Sequence, residues 1–75
     1  MTQAKRIIEY INKFGSITPM EAFMDLGITK LATRISEMRK EGIIFEQKAE
    51  KGVNRWGEPT YFMRYWLPKE GVNNE

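Results

Sequence analysis

Seventy-five residues leave room for one small domain and none for a second, and the absence of Cys and His removes zinc ligands, disulfides, a thiolate nucleophile and an imidazole base. At 41% hydrophobic and 29% charged the chain is globular rather than disordered. Twelve Lys+Arg against ten Asp+Glu leave +2, which admits a nucleic-acid partner without requiring one.

Ile7, Ile8, Ile11 and Phe14 recur at helical spacing between an N-cap at Thr2 and a helix-ending Gly15, so the first helix is predicted over Gln3–Phe14. Ser16-Ile17 is too short for a helix and reads as a turn or a two-residue strand. Thr18 as N-cap, Pro19 at the first helical position and Glu21 closing a capping box start a second helix, Pro19–Leu26. Its expected buried stripe is Ala22, Phe23 and Leu26, while Met20 and Met24 are expected to be partly exposed. Gly27-Ile28-Thr29 is a three-residue turn, and Thr29 is placed to cap a third helix, Lys30–Glu41, with Leu31, Ile35 and Met38 inward. Beyond Gly42 the composition turns β-branched and aromatic. Strands are predicted over 43–48 and 60–67, with a long hairpin loop, 49–59, between them. Pro68 ends the domain, and 68–75 reads as a flexible tail.

Three helices with a short Gly-containing turn between the second and third, followed by a two-stranded hairpin, make a winged helix of the α+β class. The sequence itself carries a resemblance. Gly15-Ser16-Ile17-Thr18-Pro19-x-Glu21-Ala22, Leu31-Ala32-x-Arg34-Ile35 and Met38-Arg39-Lys40-x-Gly42 resemble a family of short winged helix-turn-helix proteins of bacteriophages and prophages. The likeness is close over residues 6–48 and general over 49–67. It implies a non-enzymatic protein that binds double-stranded DNA in the cytoplasm of a bacterial host and regulates transcription, excision or replication of a mobile element.

With Leu31, Ile35 and Met38 in the core, helical steps put Lys30, Thr33, Arg34 and Glu37 on the outer face. Arg34 suits guanine, Lys30 a guanine or a phosphate, Thr33 a thymine methyl or a base edge, and Glu37 either cytosine N4 or the orientation of Arg34. Thr29 and Lys40 complete the expected DNA-binding set on this helix. The plain alternative is a solvated face on which Arg34 and Glu37 pair. Charge is distributed as +2 over 1–15, −2 over 16–29, +2 over 30–42, +1 over 43–66 and −1 over 67–75, so the basic excess lies on the first and third helices and in the wing.

In the wing, Lys51, Asn54 and Arg55 suit a phosphate backbone or a minor groove; offset by Glu50 and Glu58, they equally describe an exposed polar loop. Ser16, Thr18 and the amides that follow form a candidate phosphate contact at the second helix. Strand alternation puts Tyr61, Met63 and Tyr65 on one face of the last strand and Phe62, Arg64 and Trp66 on the other, so both faces are apolar. The second apolar face packs on the first helix or the tail, or, with Trp56, Phe62 and Trp66, forms a surface for a protein partner or a second copy. Glu21 and Asp25 share a helix face but have no pocket and no further ligands, so no catalytic, metal, cofactor or small-molecule site is expected. No apolar run approaches the roughly 20 residues of a membrane span, and no secretory h-region opens the chain. A single module at +2 is expected to reach nanomolar affinity through dimerisation or tandem binding. The alternative function is a protein-interaction module that docks on a host protein through the aromatic hairpin.

Overall fold

The computed structural model describes residues 2–68, in the order α1 (Gln3–Phe14), α2 (Pro19–Leu26), α3 (Leu31–Lys40), β1 (Glu46–Val53) and β2 (Pro59–Trp66). The tail expected at 68–75 lies outside the described residues except for Pro68.

Local chemistry sets each helix end. Thr2 Oγ1 accepts from the Lys5 amide at 3.1 Å, and Gly15, at φ 96°, donates to the Ile11 carbonyl at 2.7 Å. The capping box of α2 is complete: Glu21 N donates to Thr18 Oγ1 at 3.2 Å, and Thr18 N donates to Glu21 Oε1 at 3.0 Å. At its far end Gly27 takes the left-handed conformation, φ 70°, and Ile28 N returns to the Ala22 carbonyl at 3.0 Å. That backbone reversal, reaching back six residues, is the closure that a glycine at this position permits.

The start of α3 departs from expectation. Lys30 occupies the N-cap with no side-chain cap bond, so Thr29 does not cap the helix, and the turn is one residue longer than predicted. Phe23 is 55% exposed rather than buried, because α2 turns only Ala22 and, in part, Leu26 to the core.

Ile7, Ile11, Ile17, Ala22, Ile28, Leu31, Ile35, Met38, Phe45 and Tyr65 form the buried cluster. The largest side chains sealed almost completely are Ile7 on α1, Ile17 and Ile28 in the two connections that flank α2, and Ile35 on α3.

The hairpin is the largest difference from the sequence reading. Ile43–Phe45 are outside the strand, and β1 runs on to Val53, pairing Glu46 with Trp66 through to Val53 with Pro59. The loop therefore shrinks from 49–59 to 54–58, and Lys51 becomes a strand residue. Polar residues such as Lys48, Glu50 and Lys51 hid this extension because they interrupt the apolar alternation by which a half-buried strand is recognised. Ile17, read as a turn or a short strand, bridges Tyr65: each amide donates to the other's carbonyl at 2.9 Å. β2 is thus held on one side by β1 and at its root by the segment before α2.

Candidate nucleic-acid interface

α3 presents its outer face according to helical geometry. Taking 100° per residue from the direction of Leu31, Ile35 and Met38, Thr33 and Lys40 lie within roughly 15° of the opposite direction, with Ser36 and Glu37 beside them. All four are exposed. Arg34 sits elsewhere: it is roughly 70° from the core direction, on the flank towards α1. Its Nη1 meets Glu37 Oε1 at 3.0 Å, with the side chains 35% and 54% exposed. Thr2, Gln3, Ala4, Arg34, Glu37 and Glu41 line a shallow groove there. The expected outer face is corrected accordingly, with Arg34 as a flanking residue and Ser36 added beside Thr33 and Lys40. Thr29 and Lys30 are both exposed where the chain enters the helix.

On the opposite flank, Arg39 joins α3 to the hairpin. Its Nη2 donates to the Phe45 carbonyl at 3.1 Å and to Gln47 Oε1 at 2.8 Å. Gln47 Nε2 in turn approaches Met63 Sδ at 3.8 Å. Residues facing each other across antiparallel strands point to the same side. Gln47, Ala49 and Lys51 therefore share a face with Tyr65, Met63 and Tyr61, and this is the face anchored to α3. Lys51 and Tyr61, opposite one another near the outer end and both exposed, extend it away from the core. The part of Arg39 in this junction was not legible from helical spacing, which shows only that it flanks the core.

The other face carries a polar hub. Arg64 Nε donates to Glu50 Oε2 at 2.8 Å, while its Nη1 donates to Ser16 Oγ at 3.0 Å and lies 3.6 Å from Glu21 Oε2. The guanidinium hydrogen bond draws Glu50 below the usual carboxylate range, and the same bond holds Arg64 above its ordinary value. This hub engages the groups expected to hold a phosphate. Thr18 is 3% exposed with its amide and hydroxyl both committed to Glu21, and Ser16 serves Arg64.

At the tip, Asn54 is inward-bound rather than free for a ligand. Its Oδ1 accepts from the amides of Trp56 at 2.9 Å and Glu58 at 3.0 Å, and its Nδ2 donates to Glu58 Oε1 at 3.0 Å. Backbone bonds from Asn54 N to the Glu58 carbonyl and from Gly57 N to the Asn54 carbonyl close the same turn, and Gly57 supplies φ 80°. Arg55 and Trp56 are left projecting, Trp56 at 79% exposure.

The three aromatic residues of the expected partner surface are dispersed. Trp66, at the root, packs against the core and donates from Nε1 to Glu46 Oε1 at 2.7 Å. Phe62 is half-buried in a groove with Pro19, Met20 and Val53, and Trp56 stands at the tip.

The acidic pair on α2 is also accounted for. Asp25 Oδ2 accepts from Tyr10 Oη at 2.6 Å, which pushes the phenol up to about 12, and Glu21 serves Thr18 and Arg64. Among the described residues no group of three carboxylates could hold a metal ion, and no helix is long and apolar enough to cross a membrane.

The profile of the winged helix-turn-helix domain family matches residues 2–70. No curated protein and no solved structure matches the chain.

Proposed function

The chain belongs to the winged helix-turn-helix domain family, and from that premise we propose that it binds double-stranded DNA without catalysing a reaction. The observation that carries the reading is the placement of α3 and the hairpin on one side, coupled by Arg39. α3 enters the major groove, where Thr33, Ser36 and Lys40 face the base edges. Arg34 and Glu37 follow on the α1 flank, Arg34 reaching guanine or phosphate once it leaves Glu37. Thr29 and Lys30 meet the backbone at the helix entry. Lys51 and Arg55 carry the contact along the wing to phosphate, with Asn54 shaping the tip. Regulation of transcription, excision or replication in a phage or other mobile element is the role that the sequence resemblance favours. Dimeric or tandem binding supplies the second half-site.

A gel-shift series on random duplex DNA, followed by sequence selection, tests this. Binding is expected to weaken steeply with salt, with Lys51→Ala lowering the slope of log affinity against log salt by about one and leaving sequence preference intact. Substitution of Thr33 or Arg34 by Ala is expected to relax preference at one or two positions. No duplex binding at low salt would overturn the proposal. A protein partner is the second reading, favoured by the exposed Met20, Phe23 and Met24 on α2.

A further inference from the structure

We infer that Trp56 is a wedge: resting on the DNA-binding reading above, the wing tip inserts this ring from the minor groove between two base pairs of a flexible pyrimidine–purine step and bends the duplex. The ring has no use in the fold. It is 79% exposed at the end of a hairpin, and the tryptophan that does pack, Trp66, lies at the other end with its Nε1 bonded to Glu46. A large apolar ring held out in water is unfavourable unless something covers it.

The turn that holds Trp56 is pre-organised. Asn54 binds the amides of Trp56 and Glu58, and two further backbone bonds close the five residues 54–58. Trp56 is therefore presented on a fixed support, next to the exposed cation of Arg55.

Reach selects the groove. From the Glu46–Trp66 pair to the Val53–Pro59 pair the hairpin advances seven steps, roughly 23 Å. With α3 in the major groove, the flanking minor groove is half a helical turn away, roughly 17 Å. With its root fixed to α3 by Arg39, the hairpin is long enough for its tip to reach that groove.

Width then decides how the tip enters. The minor groove is about 6 Å across, whereas two paired strands alone are separated by about 4.8 Å before side chains are added. The ribbon cannot enter an unperturbed groove, but one ring from its turn can. An apolar ring between base pairs unstacks them and opens the groove, and TpA and CpA steps yield most readily. A platform for single strands would need a track of successive rings, and Tyr61, the other exposed ring of the wing, is set back along β2.

The test uses the full chain with Trp66→Phe, which leaves Trp56 as its only tryptophan, and two end-labelled duplexes of equal length, one mixed-sequence with TpA steps and one built of A-tracts. On the TpA duplex Trp56 emission is expected to be quenched and the end-to-end distance to shorten. Trp56→Ala is expected to abolish the shortening and weaken binding to that duplex about tenfold, with a smaller loss on A-tracts. If Trp66→Phe does not fold, the difference spectrum between the native chain and Trp56→Leu gives the same readout. Duplex binding with unchanged Trp56 emission and no bend overturns the wedge while leaving the DNA reading standing. Absence of binding to either duplex by the native chain overturns both.

Discussion

Arg64 and Glu50 are diagonal neighbours on the hairpin, since Glu50 lies opposite Phe62, and their 2.8 Å contact crosses from β2 to β1 on the face that meets α2. Through Nη1 the same guanidinium reaches Ser16 and Glu21. One side chain therefore ties the middle of the wing to the start of α2.

Acid should weaken that tie. Glu50 is held below the usual carboxylate range in the folded chain, so its stabilising effect is fully present above the unfolded value. It is lost as pH falls through the folded one. Urea midpoints measured from pH 6 to pH 3 are expected to drop more steeply for the native chain than for Arg64→Met, in which Glu50 has lost its partner. Parallel curves would remove Arg64 as the cause.

An alkaline counterpart sits on the other side of the domain. The Tyr10 phenol is raised to about 12 by its hydrogen bond to Asp25, and a raised phenol stabilises the fold below its unfolded value of 10.0, an effect lost as pH rises through 12. One tyrosinate absorbance step near pH 12 is expected in the native chain and should vanish in Tyr10→Phe. The substitution should also remove the alkaline decline in stability.

Thr18→Ala leaves the Glu21 amide without its side-chain acceptor and frees Glu21 to swing away from the Thr18 amide. A loss of about 1 kcal/mol is expected from the cap alone. Chemical denaturation at pH 7 measures it, and Thr18→Ser should recover most of the difference. A neutral Thr18→Ala would mean that the box adds nothing to a helix already packed through Ala22.

Arg39→Ala should separate two quantities that usually move together. Its side chain is exposed, so stability is expected to change by less than about 1 kcal/mol. The carbonyl of Phe45 and the amide of Gln47 lose the group that fixes the wing root to α3. DNA affinity is expected to fall, with faster hydrogen exchange along β1 while α1 and α3 stay protected. Unchanged exchange in β1 would show that Phe45 packing alone positions the hairpin.

The helices were readable from the sequence because their ends are chemical. Thr2 with Gly15, and Thr18, Pro19 and Glu21 with Gly27, mark both ends of α1 and α2 within the residues concerned. Thr29 misled because its hydroxyl imitates a cap that the chain sets one residue later, at Lys30, without a side-chain bond. The outer half of β1 was hidden for a different reason. Ala49, Glu50, Lys51 and Gly52 have weak strand preference and are held by their partners Met63, Phe62, Tyr61 and Thr60, which no local pattern in β1 announces. On α3, helical periodicity placed Thr33 and Glu37 on the exposed side of the helix. Arg34 lies closer to the core direction than a simple division into inner and outer faces allows, and it pairs along its own helix with Glu37, whereas Arg39 was passed over because the hairpin, and not the helix, decides what its side chain does.

The bridge between Ile17 and Tyr65 bears on how the molecule comes into being. Ile17 is wholly buried, yet its amide and carbonyl find their partners only in the last strand. A nascent chain that has released only its three helices must either bury those two groups unmet or leave Ile17 in water. β2 therefore supplies the helical part with the two backbone partners that its own segments leave unmet.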